Sequence, residues 1–301
     1  IEVNSIADAD ISLQNLWKIK QFPASNRSNC FMDSAETVLR ELQCLKEPTL
    51  VLDISSTDRN VAALFALSER LPPHIHVACC ASPAIASPTD TVETVAGRIV
   101  SELVLGVPVE HPTRKDTLKP GAISCALRDC TSELSALDSL CIRACARAQR
   151  EVPVVPIVVE FEPWSQLHSS VVNLLRECGA DINHVIMCRC VLASENLDYF
   201  SALLAETSAT DTDCQLCLCV DSFGSTEAPI SGPSYPTDEE VFRSVYHLMR
   251  TGFAHRLILS PNVRYRIDLR SFGGPGYAHV HEVCEAQLLK VSTYPVQCDS
   301  M

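Results

Sequence analysis

Val152-Pro153-Val154-Val155-Pro156-Ile157-Val158-Val159-Glu160-Phe161 is an almost unbroken apolar run, rich in β-branched residues and carrying a single acid near its end. A strand with one wet face alternates polar and apolar residues; a run that is apolar throughout reads as a strand buried on both faces. Residues 133–150 before it and 165–178 after it have the amphipathic spacing of helices. A doubly buried strand between two helices is the unit of a parallel sheet with helical crossovers.

Outward from this stretch the pattern repeats. Further strands are expected at 49–54, 74–80, 121–127, 184–190, 215–221 and 256–260. Helices are expected at 34–46, 59–70, 91–105, 196–206 and 238–251, with a last one from about 277 to 290. Seven strands, each followed by a helix, predict an α/β chain of the (β/α)8, TIM-type barrel class. A doubly wound open sheet is the competing architecture, but no Gly-rich turn follows an early strand to support it. Nothing marks a linker between two cores, so residues 1–301 read as a single barrel domain.

Local chemistry marks several boundaries. Thr131-Ser132-Glu133 is expected to cap the helix carrying Leu134, Leu137, Cys141 and Cys145, and Gly179 stands where a helix C-terminus needs glycine. Pro236-Thr237-Asp238-Glu239-Glu240 is a helix start, with a capping residue followed by acids in the first turn. The stretches 106–120 and 222–236 read as long loops; the second follows the C-terminal end of a strand, where barrel sites lie.

The composition excludes some classes of function. A net charge of −13 without a Lys/Arg stripe argues against nucleic acid. The apolar runs are far shorter than the roughly 20 residues of a membrane span. No basic segment followed by an apolar stretch heads the chain, so no signal peptide is expected. The 16 cysteines sit mostly inside apolar runs, as at Cys79-Cys80, Cys141, Cys145, Cys217 and Cys219. They read as reduced core residues of a chain in a reducing, cytoplasmic compartment.

Four stretches carry a resemblance. They are Asn15-Leu16-Trp17-Lys18-Ile19, Cys145-Ala146-Arg147-Ala148-Gln149 ahead of Val152-Pro153, Glu177-Cys178-Gly179-Ala180-Asp181-Ile182, and Phe272-Gly273-Gly274-Pro275-Gly276-Tyr277-Ala278-His279-Val280. Together they resemble the phosphotriesterase-related proteins of the amidohydrolase superfamily, over nearly the whole chain. The resemblance implies a barrel whose C-terminal mouth holds two divalent metals, usually zinc. These activate a water toward a phosphoester, lactone or amide, because imidazole and carboxylate ligands leave Zn2+ an open position for hydroxide. It also implies the ligand set: a His-x-His pair on strand 1, a bridging carboxylate or modified Lys on strand 4, one His on each of strands 5 and 6, and an Asp on strand 8.

This sequence departs from that set at every position. The strand 1 pair belongs upstream of Asn15, yet residues 1–10 hold no His and no strand-like run. The remaining ligand positions fall on Cys125, Glu160, Arg189 and Asn262. Arg189 brings a fixed positive charge where a dication must sit, and Glu160 is expected to pair with it across the mouth, beside Asn262 and Cys125. No metal or other cofactor is therefore expected. An upstream segment or a protein partner is expected to complete the barrel edge, the first strand being missing or supplied elsewhere.

Other groupings have plainer readings. His74-Ile75-His76 starts a strand, away from the mouth, and His279-Val280-His281 lies in a helix, where residues two apart do not share a face. Cys214, Cys217 and Cys219 have the spacing of a thiolate site, but Leu216 and Leu218 alternate with the last two as in an ordinary strand. Gly273, Gly274, Gly276 and Tyr277 form a possible ligand loop at a helix start, or simply a tight turn with Tyr277 packed beneath it. No nucleophile elbow or P-loop is present. The leading expectation is a catalytically inactive barrel kept as a binding or structural subunit; the alternatives are a zinc-dependent hydrolase with altered or residual activity, and a thiol-based metal or redox role.

Overall fold

The computed structural model describes residues 9–32, 34–55, 59–83, 89–110, 115–127, 133–210, 214–225 and 234–293. All seven expected strands are there, all but β2 shorter than the expected run: β1 (Thr49–Asp53), β2 (Ile75–Ala81), β5 (Ala122–Ala126), β6 (Ile157–Glu160), β7 (Val185–Cys188), β8 (Cys217–Val220) and β9 (Leu257–Leu259). They pair in parallel in the order β1-β2-β5-β6-β7-β8-β9 and curl into a half-barrel with helices outside, an α/β arrangement. Among the described residues, β1 and β9 are its edges.

The helices are α1 (Leu16–Gln21), α2 (Arg27–Cys30), α3 (Ala35–Leu42), α4 (Val61–Ser68), α5 (Val92–Leu105), α6 (Ala136–Glu151), α7 (His168–Glu177), α8 (Leu197–Thr210), α9 (Asp238–Leu248) and α10 (His279–Thr293). Thr237 and Glu240 form a reciprocal cap at the start of α9, and Gly179 takes φ +74° after α7, both as the sequence suggests.

Three expectations are corrected. The decapeptide is a strand only over Ile157–Glu160: Pro153 and Pro156 lack the N–H a ladder needs, and Val154 turns to φ +71°. The cap of α6 is Ser135, which accepts from the Asp138 amide and bonds its carboxylate at 2.7 Å; residues 131 and 132 lie outside the described residues. The stretch 106–120 is not only loop. Val107–Glu110 (β3) and Lys115–Leu118 (β4) pair as an antiparallel ribbon, its entry set by Gly106 at φ +83°.

Strand parity divides the interior into two layers. Ile123, Cys125, Val159, Met187, Leu218 and Val220 point outward, into one apolar cluster with Ile99, Ile142, Cys145, Leu175, Leu204 and Phe242 of the helices. Cys80, Ala122, Val158, Cys188 and Cys219 point inward and pack on one another along the concave face. Near the seam between β1 and β9, Leu50 is 64% exposed and Ile258 36%. The seam is laced where the N-terminal segment meets the segment after β9. Asn29 accepts from the Ile267 amide at 3.0 Å, Arg266 donates to Ser28 at 2.9 Å, and Glu41 accepts from the Ser271 amide at 3.1 Å.

Candidate functional site

The C-terminal ends of β6 to β9 converge on one small cleft. Glu160 is the last residue of β6, Arg189 follows β7, Asp221 follows β8, and Asn262 and Arg264 lie in the segment after β9. Arg189, Asp221, Tyr235, Asn262, Arg264 and Asp268 line this cleft of about 30 Å3, with Gly224 and Pro275 at its rim. Two of its members hold backbones that L residues rarely adopt, Arg189 at φ +60° and Asn262 at φ +46°.

Glu160 is the electrostatic centre. Its Oε1 lies 3.6 Å from Arg189 Nη1 and 3.2 Å from Arg264 Nη1. The Arg189 side chain is only 9% exposed, and its Nη2 also donates to the Tyr235 hydroxyl at 3.4 Å. The Arg189 amide donates to Asp221 Oδ2 at 2.9 Å, so the left-handed turn at Arg189 brings main chain to one carboxylate and side chain to another. Burial pushes the Asp221 carboxyl up to about 7; the Arg189 amide and charge oppose this, and the Glu160 charge adds to it. Asp268 accepts the amides of Arg264 and Tyr265 at 2.9 and 2.7 Å, shaping the turn that aims Arg264 at Glu160.

The expected Glu160–Arg189 pair forms, and Asn262 shares the cleft with Arg189. Cys125 does not join them. In the register Cys125 pairs with Val159 and Ala126 with Glu160, so Cys125 has the opposite parity and faces α6, its thiol against that of Cys145. Ala126 is the residue level with Glu160.

The glycine loop is a turn whose amides are largely spent on the chain itself. Gly273, Gly274 and Gly276 donate to the carbonyls of Arg270, Leu269 and Asp268. A Cβ at Gly274 would come within 2.2 Å of the Ile267 oxygen, and Tyr277 packs with Leu42, Leu45 and Ala278. His74 bonds the Leu45 carbonyl at the start of β2, and His279 contacts Asp238 at 2.6 Å.

Sequence reading missed Asp221, Tyr235, Arg264 and Asp268. Asp221 had a visible signal, being the acid that closes the strand run 215–221; the other three carry no local one. The donor set at the mouth does not fit a two-metal centre. Glu160 is held by two guanidiniums, and no group of three or more His, Cys, Asp or Glu among the described residues is arranged to hold a metal. Residues 1–8, which would bear on strand 1, lie outside the described residues.

The profile of the Phosphotriesterase family matches residues 23–301. A phosphotriesterase-related protein of Nematostella vectensis is 23% identical, over 90% of this chain and 76% of its own. An N-acetyltaurine hydrolase of Xenopus tropicalis is 22% identical, over 92% of this chain and 78% of its own. Among solved structures, a resiniferatoxin-binding protein from Rhodobacter sphaeroides superposes with a TM-score of 0.76 at 23% identity, covering 97% of this chain and 79% of that one.

Proposed function

This chain belongs to the phosphotriesterase family, and from that premise we propose that it binds rather than hydrolyses: a catalytically inactive barrel serving as a binding or structural subunit. The observation that carries this reading is the Glu160 carboxylate held between Arg189 and Arg264, at 3.6 and 3.2 Å. The hydrolytic chemistry of such mouths rests on a cation that lowers the pKa of bound water from 15.7 to about 7. Two fixed guanidiniums repel that cation and occupy the carboxylate nearest to it. The barrel then needs no cofactor, and its mouth is a mixed-charge pocket with Tyr235 and Asn262 as further hydrogen-bonding groups.

One observation favours the alternative of a hydrolase with altered chemistry. Asp221, pushed up to about 7, stands in the cleft with the poise of a general base. Base catalysis alone contributes only about 10²–10⁴-fold, which falls short of what amide or phosphoester hydrolysis requires. Relatives include a protein named N-acetyltaurine hydrolase, so an N-acyl amide is the first substrate to try.

The test is elemental analysis of protein purified without chelator, together with turnover of aryl phosphotriesters, lactones and N-acyl amino acids. Substoichiometric zinc and no turnover are expected. Two zinc ions per chain with chelator-sensitive turnover overturn the reading.

The edges at β1 and β9 call for an eighth strand, and we assign it to an extended segment of this polypeptide or of a protein partner. With it, residues 1–301 make one barrel domain. A net charge of −13 argues against nucleic acid as partner. No helix among the described residues is long and apolar enough to cross a membrane, and the abundance of free cysteines favours the cytoplasm.

A further inference from the structure

We propose that Cys188 and Cys219 form a reversible disulfide across the concave face of the sheet, with small peroxides as the oxidant. Cys188 closes β7 and Cys219 lies in β8. Met187 pairs with Leu218 in the parallel register, so the next residue on each strand, Cys188 and Cys219, stand side by side. Both point inward, packed with one another and with Cys80, Ala122 and Val158. Neighbouring strands run about 4.7–4.9 Å apart, inside the roughly 4.4–6.8 Å separation of α-carbons that a disulfide spans.

Access distinguishes this pair from another one. Cys125 and Cys145 also share one cluster, but they are 1% and 0% exposed and sealed between sheet and helices. Cys188 and Cys219 each keep 7% exposure, on the open inner face of the curled sheet. Both pairs are neighbours within a cluster; a route for a small oxidant belongs to one.

Cys188, the last residue of β7 and the nearer of the two to the mouth, attacks first. Its sulfur, having given up its proton, bonds one oxygen of hydrogen peroxide. The O–O bond breaks, and the released hydroxide takes the proton and leaves as water. The Cys219 sulfur then displaces hydroxide from the Cys188 sulfenic acid; the S–S bond forms, the S–O bond breaks, and hydroxide leaves with the Cys219 proton as a second water. Two thiols are oxidised and one peroxide is reduced to two waters. The bridge would clamp β7 to β8 one residue before Arg189 and two before Asp221, fixing the floor of the cleft.

The whole chain is titrated with hydrogen peroxide, remaining thiols are alkylated under denaturing conditions, and tryptic peptides are weighed. Cleavage after Arg189 leaves Cys188 with Cys178 and Cys219 with Cys190, Cys214 and Cys217, so the linked pair is fragmented in the mass spectrometer to locate the bridge. A peptide pair joined through Cys188 and Cys219, lighter by two hydrogens and separated by dithiothreitol, is expected. Cys125 and Cys145 should be recovered alkylated. The link should vanish in Cys188→Ser and in Cys219→Ser; if either variant fails to fold, the wild-type peptide map decides alone. Recovery of Cys188 and Cys219 as free thiols once the exposed Cys30 and Cys44 are oxidised overturns the proposal, as does a Cys125–Cys145 link that forms equally fast.

Discussion

Arg189 carries two burdens at once, a left-handed backbone at φ +60° and a nearly buried guanidinium. Losing one partner of a buried pair typically costs about 3–5 kcal/mol, but Glu160 would keep Arg264 at 3.2 Å. We therefore expect Arg189→Ala to cost about 2–3 kcal/mol. Arg189→Gly should cost about 1 kcal/mol less than Ala, because glycine accepts positive φ without strain. Urea midpoints check both, and an Ala variant as stable as glycine would mean the turn has relaxed. Asp221 is a pH prediction. Its carboxyl rises from 3.8 to about 7 on folding, so between those values the folded chain holds a proton that the unfolded chain has released. The stability of the neutral form is full below the unfolded value and is lost as pH rises through about 7. Asp221→Asn keeps an acceptor for the Arg189 amide and removes the titration. The variant should be the more stable at about pH 8, by at most about 4 kcal/mol, and should lose less between about pH 5 and pH 8. Parallel pH profiles would mean that Asp221 is already ionised in the folded chain at the lower pH.

At the scale of elements, the junction of α8, β8 and β9 turns on Arg256, which is 0% exposed. Among the described residues its guanidinium hydrogen-bonds no carboxylate. It donates to the carbonyls of Leu216 and Leu204 at 2.7 and 2.9 Å, and to Thr207 and Ser208 at 2.7 and 2.8 Å. Near the end of α8 the Leu204 carbonyl and the Thr207 and Ser208 hydroxyls meet the Leu216 carbonyl, and one planar fork serves them all at fixed angles. Arg256→Met would take this donor from the Leu216 carbonyl, while the Leu204 carbonyl keeps the Thr207 and Ser208 hydroxyls, and should cost about 1–3 kcal/mol. Arg256→Lys should recover little of this, since a single ammonium cannot reach all four acceptors. A lysine variant with the wild-type unfolding midpoint would show that charge, not the fork, holds the junction. The sequence places Arg256 at the start of a strand run and says nothing of what it binds, because its partners lie about 40 to 50 positions away.

Among the described residues the sheet is a half-barrel with edges at β1 and β9. Asn29, Arg266 and Glu41 tie the segment before β1 to the segment after β9. Leu50 on one side and Ile258 on the other remain exposed. Hydrogen exchange on the 301-residue chain should find the seam-facing amides of β1 and β9 exchanging far faster than those of β6 and β7. Equal protection in all four strands would mean that the seam is already filled.

By itself the sequence determined the alternation of strands and helices, because periodicity, caps and glycines act over a few residues. It also placed Glu160, Arg189 and Asn262 at or just past strand ends, since the apolar runs locate those ends. Tertiary structure alone decided which residues meet. A shift of one residue in register turns a side chain to the other face of a sheet, and this carried Cys125 into the helix layer while Ala126 took the level of Glu160. Arg264 reached Glu160 through a turn that Asp268 organises, and Asp221 acquired its raised carboxyl from burial among residues distant in the chain. Burial, register and charge pairing are sums over neighbours in space, and a linear sequence does not say who those neighbours are.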